Sequence, residues 1–146
     1  MGRRFVSFGI GGSRWCLPVA DVVQIVRHEN VHALPHAEVP VAGVITLHDD
    51  VVPVVDLRER LASDRPPDAP VTEKKRRILV VRLDGRPYGI LVDEVRELVD
   101  LEEHRDAEAP GAPLSECAAG SASRGEETLP ILDLARAMQG GSDRPA

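Results

Sequence analysis

His28-Glu29-Asn30-Val31-His32 is a literal H-E-x-x-H. On a helix this spacing puts two imidazoles on one face, where they can hold zinc, with the glutamate as general base for hydrolysis. His36 continues the series and makes a third nitrogen ligand conceivable. The surroundings speak against a helix here. Pro35 ends any helix three residues after His32, and Asn30 is polar where the long helix of a zinc hydrolase is apolar. The residues favour a solvated, histidine-rich loop. A zinc-dependent hydrolase built on His28, Glu29 and His32 is the alternative from another class.

Asp56 and Asp133 are a second chemical candidate, because paired carboxylates do acid–base work in two-lobed proteases. Those sites need a glycine beside each aspartate so that the carboxylates can approach. Here the contexts are Asp56-Leu57-Arg58 and Asp133-Leu134-Ala135. Each aspartate is better read as the cap of a short helix that follows it. The chain has no Ser-His-Asp signature, phosphate loop or dinucleotide fingerprint, and Gly9–Gly12 reads as a hairpin turn rather than a phosphate cradle. Cys16 and Cys117 match no zinc or redox spacing and read as free thiols of a reducing compartment.

The bulk composition narrows the partners. With 18 Lys+Arg against 24 Asp+Glu, the net charge is −6 and the pI about 5.3, which argues against nucleic acid and anionic membrane surfaces. The one basic run, Lys74-Lys75-Arg76-Arg77, reads as a solvated edge. Apolar residues are 42% of the chain and aromatics 3%, so an aliphatic core is expected. Met1-Gly2-Arg3-Arg4 leads straight into a strand pattern without a signal peptide, and no apolar run approaches the ~18 residues of a membrane helix. The expected setting is the cytoplasm.

The elements that must position any site are duplicated. Residues 4–26 align without a gap on 77–99: Phe5 meets Ile78, Phe8 meets Val81, Gly12 meets Gly85, Trp15 meets Tyr88, Val22 meets Val95 and Val26 meets Val99. A second stretch repeats at a slightly longer offset, with Gly43 on Gly120, Pro53 on Pro130, Asp56 on Asp133 and Leu57 on Leu134. The expected organisation is one domain over 4–138, made of halves 4–62 and 77–138 joined by a Pro-rich linker 63–76, with a frayed tail 139–146. The groove between the halves is then the first place to look for a site.

Each half opens with a hairpin, around Gly11-Gly12 and Asp84-Gly85. After Pro18, the spacing of Val22, Ile25 and Val26 predicts one face of a short helix, and 93–99 reads likewise. Residues 29–40 and 101–113 read as loops. Strands are expected at 41–47 and 51–56 about a turn at His48-Asp49-Asp50, followed by a helical turn at 57–61. In the second half, 115–123 is small and polar, so a weaker, more exposed or irregular strand is expected there; 129–132 is apolar, and 133–138 forms a last helix. Short strands with Gly-rich turns favour small β-barrels. Which strands close which barrel is open, and the halves could exchange a strand.

Val41-Ala42-Gly43-Val44-Ile45-Thr46-Leu47, a turn, and Val51-Val52-Pro53-Val54-Val55-Asp56-Leu57-Arg58 together resemble the signature of CheW-like domains, the coupling proteins of bacterial chemotaxis. Residues 5–17 and 22–26 resemble the family's opening, and 89–95 and 129–134 its second half. The resemblance implies a mainly β fold of two small five-stranded SH3-like barrels with short helices and an internal pseudo-twofold. It implies a scaffold without catalysis or cofactor. Its partners would be a chemoreceptor's cytoplasmic tip, near the groove, and the regulatory domain of a histidine kinase, on the barrel edges. Val22, Gly43, Val95 and Leu98 stand where relatives face partners.

Two residues depart from the family pattern. Relatives usually carry Asn-Leu-Arg-Gly at the hairpin where this chain has Thr46-Leu47-His48-Asp49, and His48 cannot offer a guanidinium fork. Gln24 replaces a glutamate common in relatives. Gln24 and His48 thus join the expected partner-facing set, and a divergent member that binds the kinase or the array without receptor coupling is the alternative within the family.

Overall fold

A computed structural model describes residues 2–27, 31–33, 41–61, 73–104 and 118–139. The chain runs β1 (Gly2–Ile10), β2 (Ser13–Pro18), a 3-10 turn (Val19–Asp21), β3 (Val22–Arg27), β4 (His32–Ala33), β5 (Val41–Leu47), β6 (Asp50–Asp56) and α1 (Arg58–Leu61). A second 3-10 turn (Glu73–Lys75) leads into β7 (Arg77–Leu83), β8 (Arg86–Val92), β9 (Glu94–His104), β10 (Ala118–Arg124), β11 (Glu127–Leu132) and α2 (Leu134–Gln139). The expected linker, the longer loops, Cys117 and the tail beyond Gln139 fall largely outside the described residues.

The hairpins follow turn chemistry. Gly11-Gly12 has φ of 56° and 84°, Asp84-Gly85 53° and 78°, and His48-Asp49 50° and 70°. Positive φ at both central residues is the type I′ pattern, whose twist matches that of paired strands. At 48–49 it is achieved without glycine, by two residue types that tolerate the left-handed region better than most.

The halves exchange hairpins. One body is a closed barrel in the order β1-β2-β11-β10-β9, so the first half's hairpin sits in the second half's strands. The other is a six-stranded sheet in the order β3-β7-β8-β6-β5-β4, where the second half's hairpin sits among strands of the first. The ladders correspond across the repeat. β1 and β9 are antiparallel, as are β7 and β3; β2 and β11 are parallel, as are β8 and β6. Even the bulges correspond, since Val23 and Arg96 are the extra residues in β3 and β9, and Ala42 and Ala119 in β5 and β10.

The sixth strand has a plain origin. β9 pairs with β1 along most of its length and then with β10 through Glu102, Glu103 and His104. In the other body β3 pairs with β7, and β4 takes up the pairing with β5, His32 opposite Val44. Val44 is the repeat counterpart of Ser121, which faces His104. β3 and β4 together therefore do what β9 does alone, and Val31 between them lies outside any strand.

Three cores follow from strand alternation. Phe5, Cys16, Val99, Leu101, Ala122, Leu129 and Ile131 fill the barrel, with at least one residue from every strand. Ile45, Val52, Val54, Ile78 and Val80 fill the other body. Between them lies a shared core: Val6, Phe8, Ile10, Trp15 and Leu17 from the first hairpin meet Leu79, Val81, Ile90 and Val92 from the second. Both hairpins are thus apolar on both faces. At about 1.5–3 kcal/mol per fully buried large apolar side chain, this seam is a major part of the fold's stability. Aliphatic residues dominate as expected, but Phe5, Phe8 and Trp15 are fully buried, so the few aromatics are concentrated in the barrel and the seam.

Two expectations are corrected. Residues 22–27 and 94–104 are strands, where a helix is expected at 22–26 and 93–99 and a loop from 101 onward. The bulge at Val23 inserts a residue, so Val22 packs on the shared core and Val26 on the sheet's own core. A bulged strand broke the alternation and imitated helical spacing; the helical turn after Pro18 is confined to Val19–Asp21. The small, polar stretch before Ser123 forms β10, bulged as an irregular strand should be, yet with Gly120, Ser121 and Ala122 buried. Small residues suit it because Phe5, Leu101 and Leu129 fill the barrel beside Ala122.

Candidate functional site

Asp56 and Asp133 do not form a catalytic pair. Asp56 Oδ1 accepts a hydrogen bond from Arg58 N–H at 3.0 Å, and the Arg58 guanidinium closes on the same carboxylate at 2.7–3.1 Å. Asp133 Oδ1 accepts from Arg136 N–H at 3.1 Å, while its carbonyl accepts from Ala137 N–H at 2.9 Å, so it caps α2. Burial pushes the Asp56 carboxyl up, but the hydrogen bonds and charge of Arg58, with the charge of Arg76, hold it below the usual carboxylate range. It stays ionised and has no proton to give near neutral pH.

Cys16 is fully buried in the barrel, where its Sγ–H donates toward the Pro130 carbonyl at 3.5 Å. Burial, then the charge of Glu103, pushes its thiol up to about 12, so it has almost no thiolate to react. Of the H-E-x-x-H motif, His28 and Glu29 lie outside the described residues, as does His36. His32 is an exposed residue of β4, in extended backbone rather than on the helix that a zinc pair requires.

Most of the remaining candidates are exposed or half-buried, and the repeat organises four of them. Val22 and Val95 are counterparts at the start of β3 and β9; each is half-buried and packs on the shared core. Leu98 is 61% exposed, and its counterpart Ile25 is 41% exposed, with Val23 beside it at 46%. Gln24 is exposed on β3. Among the described residues each of these segments is paired on one side, β3 with β7 and Val95–Asp100 with β1, and carries apolar side chains in solvent. Large apolar side chains repeated on one-sided strands beside an apolar seam are suited to binding protein, by side-chain burial and by added strand pairing.

The other two candidates stand apart. His48 is exposed in the β5–β6 turn, on the far side of β7, β8 and β6 from β3 in the sheet order. Gly43 is buried, and a Cβ there would stand 2.5 Å from the His32 carbonyl oxygen and 2.8 Å from Val31 Cγ1. Its missing side chain lets β4 lie close on β5, and it offers no surface. Sequence reasoning missed Val23 and Ile25, and also Val51, which is 67% exposed beside the β5–β6 turn. Ile25 could have been found by carrying Leu98 across the repeat.

Polar contacts set the two strands apart. Along the barrel seam Arg3 pairs with Glu103 at 2.6 Å, Arg4 with Asp100 at 3.5 Å, and Arg96 with Glu94 at 2.9 Å. In the ladder Arg4 stands opposite Asp100, whereas at the repeat-equivalent rung Arg77 stands opposite Arg27. β9 is therefore the acidic twin and β3 the neutral-to-basic one.

Two hairpin-exchanged SH3-like β bodies about a shared core, with their exposed chemistry in twin apolar strands, define a doubled β scaffold. The chain belongs to the CheW-like domain family, whose model matches residues 4–142. Chemotaxis protein CheW of Bacillus subtilis (strain 168) is 29% identical over 109 residues, covering 75% of this chain and 67% of that protein. Chemotaxis protein CheW of Rhizobium meliloti (strain 1021) is 29% identical over 102 residues, covering 70% and 63%. The match thus spans about two thirds of the length of these relatives. The crystal structure of the scaffolding protein TtCheW from Thermoanaerobacter tengcongensis has the same fold, with a TM-score of 0.75 at 22% identity over 92% of this chain and 86% of that one. Among the described residues no helix is long and apolar enough to cross a membrane.

Proposed function

We propose that this protein is a non-catalytic adaptor of a bacterial chemosensory system. It acts in the cytoplasm and joins a chemoreceptor's cytoplasmic tip to the regulatory domain of a chemotaxis histidine kinase. The observation that carries this reading is the repeated pair of one-sided strands, β3 and β9. They place Val22 and Val95 at the rim of the shared core and Ile25 and Leu98 in solvent. Membership of the CheW-like family supports it, as do relatives that are themselves chemotaxis proteins. The chemistry is apolar burial with polar orientation, and it needs no cofactor.

The test is a pull-down of the purified chain against its own organism's kinase regulatory domain and a receptor cytoplasmic fragment, separately and together. Binding to both is expected. Leu98→Asp should weaken capture about tenfold, as expected when an interface anchor is lost. Leu98 is the cleaner probe than Val95, which packs on the core, because its exposure leaves the melting temperature nearly unchanged. Undiminished capture by Leu98→Asp would remove the twin strands from the binding surface.

One observation favours a second reading inside the family. The β5–β6 turn presents His48 and Asp49 in place of an arginine and a glycine, so this surface lacks a guanidinium fork. A chain that captures the kinase domain but not the receptor fragment, and gains the receptor on His48→Arg, would be that divergent member.

A further inference from the structure

Among the described residues, a group of directional contacts gathers at one turn where the chain passes between the two bodies. Among the described residues the chain crosses between the bodies twice, at Val19–Asp21 from β2 to β3 and at Asp93 from β8 to β9. The seam between them is apolar, and apolar burial is non-directional. It resists separation, and directional bonds add to its packing in fixing how one body is rotated on the other. Three directional bonds lie at the β1–β2 turn: two tie it to Asp93, the residue through which the chain passes from β8 into β9, and one reaches α1, which follows β6. Asp93 Oδ2 accepts from Gly11 N–H at 2.8 Å, Asp93 N–H donates to the Gly9 carbonyl at 2.8 Å, and Ser13 Oγ–H donates to the Leu61 carbonyl of α1.

Asp93 and Ser13 are both buried, at 8% and 6% exposure. A buried carboxylate is costly unless hydrogen-bonded, so Asp93 is bound to this turn by its own desolvation. The device occurs once in the doubled chain. The repeat counterparts of Gly9, Gly11, Ser13 and Asp93 are Arg82, Asp84, Arg86 and Ala20, and the β7–β8 turn they would form is exposed. Internal symmetry therefore does not account for it.

We infer that Asp93, the Gly9–Ser13 turn and Leu61 form a latch that fixes the rotation of the barrel on the sheet and so sets the relative placement of the β3 and β9 binding strands. Asp93 and Ser13 are positioning residues: Asp93 sits directly before β9, two residues from Val95. The step from orientation to partner binding rests on the adaptor reading; the latch itself does not.

The test uses the full chain with Cys117→Ser, Arg82→Cys and Arg124→Cys, placing one spin label on each body at an exposed strand residue. Cys16 is left in place, since its buried, protonated thiol is unreactive to the label. Pulsed EPR on the otherwise unchanged chain should give one narrow inter-body distance. Asp93→Ala should broaden it, Asp93→Asn should restore it because the amide oxygen still accepts from Gly11 N–H, and Ser13→Ala should broaden it less. If the competent orientation falls to about a tenth of the population, kinase-domain affinity falls about tenfold with it. Should Asp93→Ala not fold, Ser13→Ala carries the test alone. A distance distribution in the folded variants as narrow as the parent's overturns the latch. A broadened distribution with unchanged affinity overturns its positioning role. A broadened distribution in a chain that captures neither partner keeps the latch and removes the adaptor reading instead.

Discussion

β9 and its counterpart, the β3–β4 pair, close the two bodies in different ways. β9 is one strand of 11 residues that passes from β1 to β10, whereas in the first half β3, of 6 residues, pairs with β7 and β4, of 2 residues, pairs with β5. At the crucial position the barrel has Leu101, 1% exposed, where the repeat places His28. One body keeps an apolar residue that anchors the strand in its core, and the other has a polar residue in its stead. A repeated fold can thus hold its ladder plan while the residues along its closing strands diverge between the halves. Of the H-E-x-x-H motif, His32 is placed in β4, in extended backbone rather than on a helix.

The comparison can be broken most severely by giving the barrel the sheet's residue. Leu101→His should cost about 3–5 kcal/mol by emptying apolar volume and burying an imidazole, and denaturant titration would show it. A loss below about 1 kcal/mol would mean that the anchor is not what keeps β9 continuous. Gly43→Ala should cost about 1–3 kcal/mol, because its Cβ meets the His32 backbone. The damage should be local, with faster amide exchange in β4 and β5 and an unaltered barrel.

Asp49→Gly works the other way. Relieving a left-handed non-glycine residue should raise stability by about 0.5–1 kcal/mol, seen as a higher denaturation midpoint with an unchanged slope. Smallest of all, Asp100→Arg would give the barrel rung the like-charged facing already present at Arg27 and Arg77. Both side chains of the present pair are mostly exposed, so a loss of about 0.5 kcal/mol or less is expected, shrinking with added salt.

Much of this fold was legible in the residues, for local reasons. Gly-Gly and Asp-Gly pairs mark type I′ turns, and aspartates mark helix caps, because those effects act within a few positions. The repeat itself announced two equivalent bodies. The two misread segments, 22–26 and 93–99, failed on a non-local feature: a bulge has meaning only relative to the strand opposite, and it corrupts the period from which strands are read. β10 was undervalued because its small residues are explained by large ones across the barrel. Of the candidate surface residues, Val22, Val95 and Leu98 are accessible or partly so; Gly43 proved to be covered by a strand whose position no periodicity indicates.

The exchange of hairpins also sets a timetable for synthesis. The sheet body is a contiguous stretch between two barrel segments, so it can complete itself as soon as its last strand has left the ribosome. The β1–β2 hairpin emerges well before the strands that complete its barrel: Phe5 pairs beside Val99 and Cys16 beside Ile131. At ~5–20 residues per second, the earliest apolar residues wait about 5–25 seconds for the strands that cover them. Aggregation or chaperone capture during translation should therefore centre on the β1–β2 hairpin while β9 to β11 are still unmade.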